Sequence, residues 1–362
     1  MHTILIAGAG RIGALIACLL AGTQEYETYL IDIQFNNVEI NELQKKFPHL
    51  HTLTADVQNQ PMIADLIKQH HIQSIISCLP YYHNLILVQL AKKFKLNYFD
   101  LTEDVAVSNE IQVIAKNSQT IFMPHCGVAP GFVNIAAHTL MQNFDSLDTA
   151  KLRVGALPQH IDNELYYALT WSTDGLINEY GNTGHAIENN QLIQTNPLED
   201  LEHLILDGVQ YEAFNTSGGL GTLAQTHADN ITNLNYKTIR YPGHCEKIRF
   251  LMHDLKLNQD RKTLKNILEH AIPRTQQDVV IIYIAVIGQK NKQLTEETYL
   301  NKIYPHTIAD INWSAIQVAT ATSACAAIDL VLANKQYAGF VLQEQIQLNE
   351  LLANRFGQYY QK

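Results

Sequence analysis

Three glycines and one aspartate carry the first chemistry legible in this chain. Gly8, Gly10 and Gly13 lie in Gly8-Ala9-Gly10-Arg11-Ile12-Gly13, just after the apolar run Ile4-Leu5-Ile6. Ile12, Leu15, Ile16, Leu19 and Leu20 then repeat at helical spacing. Strand, glycine turn and helix is the order that a dinucleotide site requires. Gly8 permits the tight turn, Gly10 lets a pyrophosphate approach the backbone, and Gly13 lets helix and strand pack closely. The N–H groups and positive end of the helix face the phosphates, with Arg11 and Ile12 among the expected contacts. A second strand, Thr28 to Ile31, ends in Asp32, 19 residues beyond Gly13, close to the spacing at which a carboxylate accepts the ribose hydroxyls. Neither Ile33 nor Gln34 offers a cation to a 2′-phosphate. The cofactor expected here is NAD, in preference to NADP.

The elements around this turn alternate. Further strands are expected at His51–Thr54, Ser74–Ser77, Asn97–Leu101 and Thr120–Met123, with helices between them. Six strands with intervening helices predict an α/β fold, a Rossmann-type doubly wound parallel sheet. Its cofactor cleft is lined by loops at the carboxyl ends of the strands. Asp56, Val57, Ser77 and Leu79 therefore join the expected cofactor contacts. From about Leu147 the pattern changes to strands in succession: Thr149–Leu157, Glu164–Trp171, Leu204–Phe214, Tyr236–Tyr241 and Val279–Gly288. Asn189-Asn190 and Asp207-Gly208 suit hairpin turns. Helices are expected at Gly243–Leu255, Arg261–Ala271, Trp313–Leu332 and Leu348–Phe356. The organisation read from this is a nucleotide domain over 1–127, an α+β substrate and dimerisation domain over 128–310, and C-terminal helices over 311–362 that return to the first domain.

Bulk properties narrow the function. The 362 residues carry a formal charge of −10 without a basic cluster, which argues against nucleic acid or an anionic membrane as partner. No run is read as approaching a membrane span, and the chain opens directly into its first strand without a signal peptide. Five scattered cysteines, with no CxxC pair, suggest neither a disulfide framework nor a metal site. A reduced, cytoplasmic protein is expected.

Several stretches together resemble the saccharopine dehydrogenase-like family, and within it the L-lysine 6-dehydrogenase branch. They are AGAGRIG, HCGVAPG, WSTDGLINEY, TSGGLGTL and RYPGHCEKIRFL, in order along nearly the whole chain. The resemblance implies a Rossmann domain, an α+β domain before a C-terminal return, and a homodimer. It implies oxidation of a CH–NH bond of lysine, saccharopine or a related ω-amine or opine to an imine, which water opens to an aldehyde. One departure is His125, where members of the family carry a small residue, a change expected at the floor of the substrate pocket.

That chemistry needs position and proton handling. Arg240, at a strand end beside the Pro242-Gly243 turn, is the leading side chain to grip a substrate carboxylate; an ordinary ion pair is the competing reading. His244 and Asp100 are the expected proton carriers, with His125 and His83 behind them, and capping of the next turn is the other reading of Asp100. Cys126 is read as lining the pocket, and Gly127 as letting backbone approach the substrate. Trp171 is placed against an alkyl chain and Glu179 against an ammonium. Ser172 or Thr173 is expected to cap the following helix. The alternative from a different class is a catalytically inactive, nucleotide-binding redox sensor or scaffold of the same fold.

Overall fold

The computed structural model describes residues 1–35 and 38–361. The chain divides into two compact units, one formed by residues 1–131, 307–311 and 317–361, the other by 132–306 and 312–316.

The first unit alternates strand and helix: β1 (His2–Ala7), α1 (Arg11–Gly22), β2 (Tyr26–Asp32), α2 (Val38–Lys46), β3 (Leu50–Thr54) and α3 (Gln60–Gln69). It continues with β4 (Ser74–Ser77), α4 (Asn84–Phe94), β5 (Asn97–Asp100), α5 (Val105–Ala115) and β6 (Ile121–Met123). All strands run parallel, in the order β6-β5-β4-β1-β2-β3. The sequence predicts six strands; the structure adds a seventh, Gly339–Phe340, parallel to β6. Two residues carry no periodicity, so only the sheet edge that they join reveals them. Helices start where side chains satisfy their open amides: Asn59 accepts from Met62 at α3, and Asp104 from Val107 at α5. Leu5, Ile31, Ile75, Leu87, Val88, Tyr98 and Phe122 form the buried layer between sheet and helices.

The second unit is a mixed sheet. Its strands are β7 (Ser146–Pro158), β8 (Gly184–Glu188), β9 (Gln191–Thr195), β10 (Glu202–Leu206), β11 (Val209–Asn215), β12 (Ile231–Arg240), β13 (Asp278–Lys290) and β14 (Gln293–Ile303). Six follow the order β10-β11-β12-β7-β13-β14, with β8 beside β12 and β9 beside β8. Only β12 and β7 pair in parallel among the described strands. Helices α6 (Phe132–Met141), α7 (Thr173–Gly181), α8 (Leu223–Thr226), α9 (His244–Arg249) and α10 (Arg261–Ala271) complete this unit. Positive φ at Asn189, Asn190, Asp207 and Gly208 closes the two tight hairpins, as their sequences require.

Four expectations are corrected. Glu164–Trp171 is not a strand, although its apolar residues alternate. The Asn163 side chain captures the Leu165 N–H (3.1 Å) and the Tyr167 carbonyl (2.7 Å), and only Leu169 makes a bridge, to Arg274. Local side-chain bonds displace the ladder there. Strand β14 escapes the sequence reading because it is a polar edge strand, with Leu294 71% exposed. The helix expected over Gly243–Leu255 ends as α-helix at Arg249 and continues as a π-helical turn, Phe250–Asp254. Finally, α11 (Ala315–Ala333) is long and apolar enough to cross a membrane, with a mean hydropathy of 1.6. Yet 78% of that stretch is buried in the protein, as in a core helix.

Candidate functional site

At the carboxyl end of β1, Gly8 adopts φ +102° with the Cys78 carbonyl oxygen 3.0 Å from where a Cβ would stand. A Cβ on Gly13 would lie 1.9 Å from the Gly8 carbonyl oxygen, so helix and turn meet at a distance open only to glycine. Gly10 faces open space: a Cβ there meets nothing within 4 Å. It stands at the N-cap of α1 without a side-chain cap. Asp32 points into this turn and accepts the Ala9 N–H at 2.7 Å. An uncapped helix start, an open glycine and a carboxylate beside them fit a dinucleotide's pyrophosphate and ribose.

The other expected cofactor contacts divide. Leu79 lies against Gly8, its Cδ2 3.2 Å from the Cβ position there. Arg11 pairs with Glu39 at 3.0 Å. Three residues have side chains engaged within the protein. Asp56 forms a local turn with the Gln58 N–H, Val57 is buried in the apolar layer, and Ser77 donates to Asn84 Oδ1 at 2.7 Å. Each is placed at a strand end, as expected, but its side chain serves the fold.

Asp100 closes β5 at the same edge of the sheet. Its Oδ2 accepts from the Tyr98 hydroxyl (2.8 Å) and Asn84 Nδ2 (3.1 Å), and its Oδ1 from the N–H groups of Thr102 (3.0 Å) and His125 (3.3 Å). A carboxylate has about four acceptor positions, so all are committed within the protein. Burial pushes its carboxyl up to about 6, against the pull of the Thr102, Tyr98 and His125 bonds. Asp100 thereby ties the Cys126 segment to the loop after β5. His125 is buried too, and desolvation lowers its imidazole to about 4, so it stays neutral. His83 lies in a short turn, its ring 4.6 Å from that of Tyr82.

Cys126 is fully buried and donates its thiol to the Met123 carbonyl at 3.2 Å. Burial pushes that thiol far above the ordinary range, with the Asp100 charge adding, which keeps it from acting as a nucleophile. The Gly127 carbonyl is held by Ser323 Oγ at 2.9 Å. Glu103, half-buried in the loop after β5, was not singled out from the sequence. Burial raises its carboxyl to about 7, and the charges of Asp104 and Asp100 push the same way.

The second unit holds a different construction. Arg240 ends β12 and is 2% exposed. Its Nε donates to the Tyr180 hydroxyl (2.7 Å) and its Nη1 to the Ile239 carbonyl (2.8 Å). The guanidinium carbon lies 4.9 Å from the Tyr167 ring centre and 5.6 Å from that of Tyr180. No carboxylate forms an ion pair with it among the described residues. Burial opposes its charge, but Tyr180, Tyr167 and Glu179 outweigh burial and hold its pKa above the usual value. Glu179, buried beside Tyr180 on α7, thus acts on Arg240 through its charge.

His244 lies beside this cluster. It is completely buried, its Nδ1 2.8 Å from the Leu165 carbonyl and its Nε2 3.1 Å from the Tyr180 hydroxyl. A carbonyl only accepts, so Nδ1 carries the proton and Nε2 accepts from Tyr180. Desolvation, helped by the Arg240 charge, lowers the imidazole to about 3. His244 is a neutral link in a chain from Arg240 through Tyr180 to Leu165. Glu212 supports the chain from below: its carboxylate accepts the N–H groups of Gly243 (2.7 Å) and Cys245 (2.6 Å), which fixes the Pro242-Gly243 turn. Trp171 is half-buried against the core that contains Tyr167 and Tyr180. Ser172 caps α7, and Asp174 pairs with Lys265 at 2.6 Å. The Thr173 hydroxyl is buried without a hydrogen-bond partner among the described residues. Tyr167, Tyr180 and Glu212 lack any local signal, because tens of residues separate each from its partner.

A parallel sheet with a glycine cradle and an acidic strand end, in a chain that continues into a mixed sheet, defines a dinucleotide-binding protein of two units. The sequence matches the family model for the saccharopine dehydrogenase NADP binding domain over residues 4–122, and that for the saccharopine dehydrogenase C-terminal domain over residues 127–359. The chain belongs to the saccharopine dehydrogenase family. Its fold is similar to that of the apo, L-Glu-forming saccharopine dehydrogenase of Saccharomyces cerevisiae, with TM-score 0.75 and 14% identity over 97% of this chain and 96% of that one. It is also similar to the homospermidine synthase of Legionella pneumophila in complex with NAD, with TM-score 0.67 and 11% identity over 99% and 89% of the two chains.

Proposed function

We propose that this protein oxidises a CH–NH bond of an amino acid, namely lysine, saccharopine or a related ω-amine or opine, with NAD as the hydride acceptor. The observation that carries this reading is Arg240, a buried cation between two aromatic faces that forms no ion pair with a carboxylate among the described residues. Such a charge is stabilised when a ligand brings the missing anion, and the substrate's α-carboxylate is that anion. Tyr180 holds one edge of the guanidinium, leaving Nη2 and part of Nη1 for the ligand.

The remaining roles follow from what each group can do. When bound, NAD takes the hydride from the amine-bearing carbon. The substrate nitrogen enters as an ammonium and gives up a proton before that hydride leaves. Glu103, with its carboxyl near 7, is the group proposed to take it. Asp100, committed to four donors, and His244, hydrogen-bonded at both ring nitrogens, would each have to release a partner to take it. Water then adds to the imine, and the carbon–nitrogen bond breaks to an aldehyde and an amine. NAD is favoured over NADP by the Asp32 carboxylate at the ribose position and by Arg11, already paired to Glu39. The family likeness makes a homodimer the expected assembly, and free cysteines throughout suit a reducing cytoplasm.

The test is direct. Purified protein is mixed with NAD⁺ and a panel that includes L-lysine and saccharopine, and absorbance is followed at the NADH band. Reduction with at least one amine is expected. Silence across the panel while NADH still binds would instead support a nucleotide-binding redox sensor. Asp32→Ala should weaken NAD more than NADP; an equal loss for both would remove the ribose role.

A further inference from the structure

The second unit contains a hollow of about 190 Å³ whose lining includes Pro158, His160, Asp162, Ala168, Pro273 and Arg274. Two segments build it. Residues 158–169 leave the end of β7, and residues 273–277 lead into β13. The segments are tied at both ends. The Gln159 N–H donates to the Gln277 carbonyl at 2.9 Å, and the Leu169 N–H to the Pro273 carbonyl at 2.9 Å. The hollow lies between these two ties.

Its lining has a definite chemistry. Ala168 is buried and, with Pro158 and Pro273, supplies an apolar floor. Arg274 and Asp162 are exposed and line the same space with opposite charge, yet no ion pair joins them. Asp162 is held from one side: Asn163 Nδ2 donates to its Oδ1 at 2.8 Å and to the Tyr167 carbonyl at 2.7 Å. That leaves Oδ2 open. The Arg274 backbone is fixed by its bridge to Leu169, while its guanidinium has no hydrogen-bond or ion-pair partner among the described residues.

Opposite charges that face one hollow without meeting suit a ligand that carries both. An α-amino acid does so on a single carbon, with a carboxylate for the guanidinium fork and an ammonium for the carboxylate. Its side chain gains by covering the apolar floor. At roughly 30 Å³ per water, the hollow has the room of about six waters, enough for a small amino acid.

We propose that this hollow binds a zwitterionic α-amino acid, its carboxylate on Arg274 and its ammonium on Asp162. Arg240 does not line it, so the site is separate from the one described above. The two share a segment, because Tyr167, next to Ala168, sets its ring centre 4.9 Å from the Arg240 guanidinium carbon. The inference does not rest on the proposed reaction.

The experiment is a set of ligand-observed NMR titrations at neutral pH. The probes are L-norleucine, hexanoate, which lacks the ammonium, and pentylamine, which lacks the carboxylate. Wild type is expected to bind L-norleucine at least about tenfold more tightly than either fragment. Arg274→Met should weaken L-norleucine about tenfold and leave pentylamine unchanged. Asp162→Asn should weaken L-norleucine and leave hexanoate unchanged. Both residues are exposed, so melting temperatures should stay near wild type. The L-norleucine binding that Arg274→Met removes should persist in Arg240→Met. No binding of L-norleucine to wild type, or binding that neither Arg274→Met nor Asp162→Asn weakens, would overturn the proposal. So would hexanoate binding as tightly as L-norleucine, which marks a simple anion site. A sole binding event lost with Arg240→Met and kept in Arg274→Met would place the amino acid at Arg240 and overturn it too. Failure to oxidise any amine leaves all these titrations untouched.

Discussion

The two units build their sites from opposite materials. In the first, the cradle is backbone: glycines at positions 8, 10 and 13, a helix start without a side-chain cap, and one aspartate that accepts a neighbouring N–H. In the second, the site is made of side chains from β11, β12, α7, α9 and the irregular stretch after β7, linked as Glu212, Arg240, Tyr180, His244 and Tyr167. A backbone cradle is specified by residues close in sequence and fails by steric exclusion. A side-chain cluster is specified by tertiary contact and fails by losing charge or support. The electrostatics differ in the same way. Asp100 and Glu103 in the first unit are carboxyls raised by burial, while Arg240 in the second is a cation held charged by its neighbours, with a histidine kept neutral beside it.

The largest effect should come from the cradle. Gly13→Val places a branched carbon against the Gly8 carbonyl oxygen, where even a Cβ would sit at 1.9 Å. We expect loss of cooperative folding of the first unit, read as collapse of the thermal transition. Gly10→Ala provides the contrast, since its Cβ meets nothing. Its melting temperature should stay near wild type while dinucleotide affinity falls about tenfold or more. A cradle that bound nucleotide normally after Gly10→Ala would break the backbone half of the comparison.

Next in size is Arg240→Met. Losing the partner of a buried carboxylate costs roughly 2–5 kcal/mol, so kcat/KM should fall at least about thirtyfold, mainly through KM. Nucleotide affinity should not move. A fall in nucleotide affinity with KM unchanged would move Arg240 out of the substrate site.

The smallest effects, and the sharpest in sign, concern pH. The His244 imidazole is lowered to about 3 in the folded protein, against an ordinary value near 6.5. Below 6.5 the unfolded chain binds a proton that the folded one refuses. The stability His244 supplies is thus present above 6.5 and lost as pH falls toward 3, by up to a few kcal/mol. Asp100 is raised to about 6, so between about 4 and 6 the folded chain holds a proton that the unfolded chain has released. Stability from Asp100 therefore falls as pH rises through that window, by up to about 3 kcal/mol. Denaturant titrations between pH 4 and 6.5 should show the acid loss of stability lessened in His244→Phe and steepened in Asp100→Asn. Slopes that shift together, or not at all, would contradict the burial of one or both groups. His244→Gln should likewise leave the pH profile of kcat unchanged, because His244 does not touch the transferred proton.

How much of this was legible in the sequence follows the same divide. Gly8, Gly10, Gly13 and Asp32 could be placed because strand, turn and helix are local, and each glycine answers a steric demand within a few residues. The parallel sheet of the first unit follows from alternating strand and helix patterns, and the Asn189-Asn190 and Asp207-Gly208 hairpins follow from turn chemistry. Arg240 was found from its residue type at a strand end, but the Tyr180 and Tyr167 that help to hold its charge were not, and Glu179 was expected against a substrate ammonium and not beside Arg240. The hydrogen bonds that occupy Asp100 and His244 were not legible either. Spacing places a titratable group near a site but does not count the donors around it, and that count decides whether a proton can move.

The sequence by itself determined the nucleotide turn, the acidic end of β2 and the change from alternating elements to successive strands, because each is written in neighbours or in short periodicities. Only the tertiary structure decided that Asp100 is saturated, that His244 is neutral, that Glu212 holds the Pro242-Gly243 turn, and that Gln343 arrives beside Cys126 from more than two hundred residues away. Hydrogen-bond saturation and desolvation depend on which distant segments fold against a group, and residue order does not encode them locally.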